Sequence, residues 1–135
     1  MIIDEIMLHN VGPFRGQHRA VLTPPSPQKP VVLFGGLNGA GKTTLLEAMQ
    51  LALYGKHAAT GRRAGLSYDD YLRRLINRAV HPGAGAAIEL HLRVNEQGIT
   101  QRLRLRRAWR ASDTRVTESL EVFIDGKLDI GAAEA

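Results

Sequence analysis

The amino-acid sequence predicts an α/β fold in which a mixed sheet carries an added antiparallel β-meander. Three observations predict it. The short apolar run Val31, Val32, Leu33, Phe34 has the composition of a buried parallel strand. A glycine-rich octet follows, and then helix formers from Thr43 through Leu53. Beyond residue 85, apolar and polar side chains alternate in successive stretches, as in half-buried strands.

Taken in order, residues 2–10 mix β-branched and apolar side chains with Asp4, Glu5 and His9 and predict a strand. Gly12-Pro13 predicts a turn into a second, antiparallel strand over 16–22. Residues 23–30 hold four prolines and must be a loop, delivering the chain to the strand at 31–34. The helix after the octet is apolar nearly all round, which predicts burial, and Gly55 is its stop. Residues 56–66 read as a surface loop with three positive charges. Ser67 caps a second helix, with Asp70 in the capping-box position and Leu72, Leu75, Ile76 and Ala79 as its apolar stripe. His81-Pro82-Gly83 ends it. Strands follow over 86–94, 99–110, 116–124 and 127–130, joined by turns at 95–98, 112–113 and 125–126. This gives a core over 1–55 that contains the glycine-rich octet, a loop and helix over 56–83 and a β-meander over 84–135.

The chemistry lies in the octet. Gly36-Leu37-Asn38-Gly39-Ala40-Gly41-Lys42-Thr43 fits G-x-x-x-x-G-K-[ST], the P-loop of nucleotide hydrolases, and its strand-before, helix-after context fits as well. Glycines let backbone N–H groups approach phosphate without a Cβ in the way. The helix N-terminus adds unpaired donors and a positive dipole end. Lys42 is the residue to reach the β- and γ-phosphates of ATP, and the Thr43 hydroxyl the one to hold Mg²⁺.

Composition narrows the class. With 135 residues, 44% apolar and 23% charged, the chain is one globular domain or part of one. Its apolar runs fall far short of a membrane span, and its first residues lack the marks of a secretory signal. It has no cysteine, so a disulfide framework and thiolate metal sites are excluded and a reducing cytoplasm is the natural setting. The five histidines show no metal-ligand spacing. The net charge of +5 favours a polyanionic partner.

Arg102, Arg104 and Arg106 alternate along one strand and predict a basic file with about 7 Å between neighbours. DNA phosphates have a similar spacing, so a DNA contact is geometrically open. The alternative is a solvated face whose arginines pair with Glu89, Glu118 or Glu121. Leu120 to Asp125 ends in an aspartate, but Asp125-Gly126 reads as a turn rather than a metal-holding strand end. No Asn-Lys-x-Asp is present, which disfavours a GTPase.

On the first strand, the Asn10 to Gly16 turn, the proline loop and residues 34–56, the chain resembles the heads of SMC-like, ABC-type ATPases, the coiled-coil ATPases of DNA repair and chromosome maintenance. With residues 66–78 added, it resembles more narrowly the N-terminal segment of the DndD family, the ATPases of bacterial DNA phosphorothioation. The resemblance implies the first lobe of a two-lobed head. It implies that Arg15 and Gly16 lie near the nucleotide and that Gly36 and Asn38, Gly39, Ala40, Gly41, Lys42, Thr43 and Thr44 form the phosphate loop. It also implies dimerisation around ATP, a long coiled coil, and DNA and other Dnd modification proteins as partners.

The sequence departs from that pattern in showing no Q-loop glutamine, no heptads, no signature motif and no Asp-Glu pair ending a strand. The expectation is an ATP-binding first lobe that lacks the group orienting the attacking water and so does not turn ATP over alone. A DNA repair or recombination ATPase head is the alternative within the class. A P-loop small-molecule kinase, with residues 56–66 as lid, and a DNA-binding or assembly module using the arginine file are alternatives outside it.

Overall fold

The computed structural model describes residues 1–33, 35–36, 41–58, 66–129 and 131. Its strands are β1 (Ile2–Val11), β2 (Phe14–Val21), β3 (Ala86–Glu96), β4 (Ile99–Ala111), β5 (Val116–Ile124) and β6 (Lys127–Leu128); its helices are α1 (Lys42–Tyr54) and α2 (Tyr68–Leu75). The strands form one sheet in the order β2-β1-β3-β4-β5-β6. Every neighbouring pair is antiparallel.

Alternation in the sequence decides which face each side chain takes. Ile6 and Leu8 of β1 stand opposite Leu90 and Ile88 of β3, and Leu90 stands opposite Leu105 of β4. This apolar face is covered by Ala48, Leu51 and Ala52 of α1 and by Tyr71, Leu72 and Leu75 of α2. Full burial of one such leucine contributes about 1.5–3 kcal/mol. Trp109 completes the core, and its indole Nε1–H donates to the Leu72 carbonyl at 2.9 Å, so the large ring enters the interior with its one polar atom satisfied.

The meander is continuous with the N-terminal hairpin, because β1 pairs with β3. Three expectations are corrected. First, the parallel strand over 31–34 is not formed by its described residues: 31–33 carry no strand, and Val31 and Leu33 are 70% and 88% exposed. Phe34 lies outside the described residues. Such a strand needs a partner, and no strand of the sheet, its edge strands β2 and β6 included, pairs with residues 31–33. Among the described residues the sheet is therefore antiparallel rather than mixed.

Second, α1 is covered on one side only, leaving Leu46 57% and Tyr54 58% exposed. A single sheet face can bury only one stripe of a helix. Third, the second helix stops at Leu75, and Ala79 is exposed. Ile76 is extended and bridges to Val11, because the Asn77 N–H is drawn to the Asn10 carbonyl at 2.8 Å. The Ser67 cap is as the sequence suggests: its hydroxyl accepts from the Asp70 N–H at 3.1 Å. Gly55 ends α1 at φ 57°, with its N–H on the Leu51 carbonyl. The last strand is two residues long, and Ile130 is outside the described residues, as are 59–65 of the suggested lid.

Candidate functional site

The site is built where the β1–β2 hairpin meets the first turn of α1. Asn10 lies in left-handed backbone at φ 56°, and its buried side chain holds the hairpin: Oδ1 accepts from the Gly16 N–H at 2.8 Å, and Nδ2 donates to the Gly85 carbonyl at 3.3 Å. Asn77 Nδ2 donates to the Gly12 carbonyl at 2.9 Å, while the Gly12 N–H donates to the Leu75 carbonyl at 2.6 Å. A turn anchored from both sides then rests on the helix. A Cβ on Gly12 would stand 2.8 Å from Thr44 Cγ2, and one on Gly41 would stand 2.5 Å from Phe14 Cζ. Glycine at both positions is what permits the approach.

Gly41 caps α1 at φ 99° without any side-chain hydrogen bond, and the first turn contains no acidic residue. The amides there are therefore not satisfied by a side-chain cap, and the positive end of the helix is not neutralised from within its own first turn. Lys42 and Thr43 are exposed at this end and Thr44 is half-buried against the hairpin. Gly36 is exposed on the approach, and Asn38, Gly39 and Ala40, together with Leu37, lie outside the described residues. A cavity of ≈ 280 Å³ adjoins the turn, lined by Phe14, His18, Gly35, Gly41 and Lys42 over an apolar floor that includes Leu45. The Phe14 and His18 rings lie 5.3 Å apart along one wall.

Arg15 is exposed at the start of β2, on the hairpin that touches the helix, and Gly16 takes φ 73° in open space. Arrangements of this kind can hold an anion by backbone amides and a mobile ammonium group. Among the described residues no group of three or more His, Asp or Glu side chains could hold a metal by itself. A divalent cation here would take the Thr43 hydroxyl and draw its other ligands from phosphate and water.

The arginine file lies on the opposite, helix-free face of the sheet. There it is largely paired: Arg104 Nε stands 3.5 Å from Glu89 and its guanidinium 4.0 Å over the Phe123 ring, and Arg106 stands 3.9 Å from Glu121. Arg102 uses its backbone N–H on Asp125 at 2.9 Å. Arg93 grips Asp4 with two hydrogen bonds of 2.7 and 2.8 Å, which hold the Asp4 carboxyl below the usual carboxylate range. A broader trough of ≈ 700 Å³ runs past these side chains. It is larger than the cavity at α1, but its charged lining residues Asp4, Arg93 and Arg104 are engaged in ion pairs or ring contacts, whereas the uncapped helix end lies at the α1 cavity.

Asn10, Asn77 and Arg107 are the buried polar residues among those described; sequence reasoning names Asn10 only as the start of a turn and passes over Asn77 and Arg107. Arg107 has the odd parity of Leu103, Leu105 and Trp109, and an arginine in an apolar file is the signal that could have found it. It faces the helices, 3.3 Å from Glu118, so Glu118 does not serve the outer file as expected. Tyr68 donates to the same carboxylate, and burial, followed by that bond, pushes its hydroxyl far above the ordinary range. No helix among the described residues is long and apolar enough to cross a membrane.

Comparison with known proteins adds two findings. A family model described as AAA domain matches residues 5–129. A stretch of 55 residues, 41% of the chain, is 46% identical to the SbcC component of the nuclease SbcCD from Treponema pallidum (strain Nichols), of which the match covers 5%.

Proposed function

The chain belongs to the AAA domain family, and from that premise we propose that it is the ATP–Mg²⁺-binding segment of a larger SMC-like, ABC-type ATPase that acts on DNA. The observation that carries this is the start of α1: a left-handed Gly41, no side-chain cap, no acidic residue in the first turn, and exposed Lys42 and Thr43. Lys42 contacts the β- and γ-phosphates, and the loop amides from Gly36 to Thr44 cradle them. Thr43 holds Mg²⁺, whose chemistry is to offset charge building up on the phosphates. Arg15, one residue before Gly16 on the anchored hairpin, reaches the same anion.

Val31, Leu33, Leu46 and Tyr54 are exposed apolar side chains, and on this reading a second lobe of the head covers them. The matched relative is far longer than the region it shares with this chain. Hydrolysis then depends on groups the 135 residues do not supply, and two heads close around ATP. The same reading places the protein in the cytoplasm, with DNA as its polyanionic partner. Any DNA contact by Arg104 and Arg106 competes with their pairs to Glu89 and Glu121, and contact by these two and Arg102 weakens with salt because phosphate counterions are released on binding. The finer reading, an ATPase of DNA sulfur modification working with Dnd proteins, rests on the resemblance over residues 1–78. The second reading, a DNA repair or recombination head partnered with a nuclease, is favoured by the identity to a nuclease component.

The test is equilibrium binding of a fluorescent ATP analogue with Mg²⁺ to the chain and to Lys42→Ala. The expected result is saturable binding that is lost in the variant, with phosphate release near background in both. Equal binding by the two proteins would refute the reading.

A further inference from the structure

Arg107 is 7% exposed and lies in the middle of β4, on the face that carries α1. Its guanidinium meets the rear of α1: Nε and Nη2 donate to the Ala52 carbonyl at 3.4 and 3.3 Å. Those lengths are at the long end of hydrogen bonding, so charge contributes as much as direction. Gly55 makes room, because a Cβ there would stand 3.0 Å from Nη1. Nη1 is 3.3 Å from Glu118 of β5, and Glu118 accepts the Tyr68 hydroxyl at the start of α2. The last turn of α1 has no basic residue of its own, so Arg107 supplies the positive charge at the negative end of the helix.

We propose that Arg107 is a positioning residue for the nucleotide site: it fixes the tail of α1 to β4 and β5 and so sets where the head of the helix presents Lys42 and Thr43. Ala52 is ten residues beyond Lys42, about 15 Å along a rigid helix, and a shift of the tail is carried to the amides at the front. The other end of the same frame is α2, whose Leu75 carbonyl holds the Gly12 turn against Thr44. Buried Arg107, with Glu118 and Tyr68 at its outer side, thus ties both walls of the phosphate site together. The inference rests on the reading that phosphate binds at the start of α1.

The experiment compares Arg107→Met, Arg107→Lys and Glu118→Gln with the unmodified chain. Three quantities are read: thermal midpoint, dissociation constant for a fluorescent MgATP analogue below each midpoint, and the Thr43 amide resonance without nucleotide. Arg107→Met is expected to weaken binding about five-fold, the equivalent of about 1 kcal/mol at a helix end, and to move the Thr43 resonance. Arg107→Lys recovers part of both, and Glu118→Gln moves both in the same direction by less. A packing role alone lowers the midpoint and leaves the other two quantities unchanged, and that result overturns the proposal. If Arg107→Met does not fold, the lysine and glutamine variants decide by the same criteria. If the unmodified chain does not bind the analogue, the nucleotide reading fails, and an unmoved Thr43 resonance is then what overturns the positioning role.

Discussion

Replacing Gly41 with alanine tests the packing of the hairpin on the P-loop helix. Gly41 sits at φ 99°, where an L-residue is strained by about 1–2 kcal/mol. The new methyl would also lie 2.5 Å from Phe14 Cζ and 2.6 Å from Phe14 Cε2, so the ring or the turn must move. Overpacking of this kind costs about 1–3 kcal/mol, and the two effects together give about 2–5 kcal/mol. For a chain of this size that corresponds to a midpoint lowered by roughly 6–25 °C in a thermal melt followed by circular dichroism. Gly16→Ala is the control: φ is 73° but nothing lies within 4 Å, so backbone strain of about 1–2 kcal/mol is the whole effect. A Gly41→Ala midpoint equal to or above that of Gly16→Ala would refute the claim that the hairpin presses on the helix start.

Other outcomes follow from the core and the outer face. Leu72→Ala, at a position with no exposure, should destabilise by about 2–5 kcal/mol in denaturant titration. Trp109→Phe leaves the Leu72 carbonyl without its buried donor and should cost about 1–3 kcal/mol by the same measurement. Asp4 is held below its ordinary value of 3.8 by Arg93, so its contribution is present above that pH and disappears as pH falls through the lowered value. An acid titration of Asp4→Asn should therefore lack part of the stability loss seen below about pH 4 in the unmodified chain. Reversing Arg102, Arg104 and Arg106 to glutamate should abolish DNA retention at low salt if that face carries it, and leave it unchanged if the face is only solvated.

Much of this fold is legible because local rules and tertiary packing agree. Alternation over 86–94 and 99–110 gives β3 and β4 with the correct faces, since one side of the sheet is buried and the other is wet. The Ser67 cap and the Gly55 stop are local backbone chemistry and read directly. What is not legible depends on absent or distant neighbours. The apolar letters of Val31, Val32 and Leu33 suggest a buried strand, but no described strand pairs with them. Ala79 fits a helical stripe by spacing, yet the Asn77–Asn10 contact, 67 residues apart, ends α2 early. Within the site, the octet names Lys42 and Thr43, whereas the bonds of Asn10 to Gly85, Asn77 to Gly12 and Arg107 to Ala52 join residues that no single sequence window contains.

The central claim is that a nucleotide triphosphate seats its phosphates at the head of α1. The chain has four lysines, Lys29, Lys42, Lys56 and Lys127, which makes a direct chemical readout available. An ATP derivative whose terminal phosphate carries an amine-reactive acyl group transfers that group to the lysine beside the phosphates. Peptide mapping after brief exposure should find the label at Lys42, suppressed by excess MgATP. Labelling spread evenly over the four lysines, or unaffected by MgATP, would contradict the account.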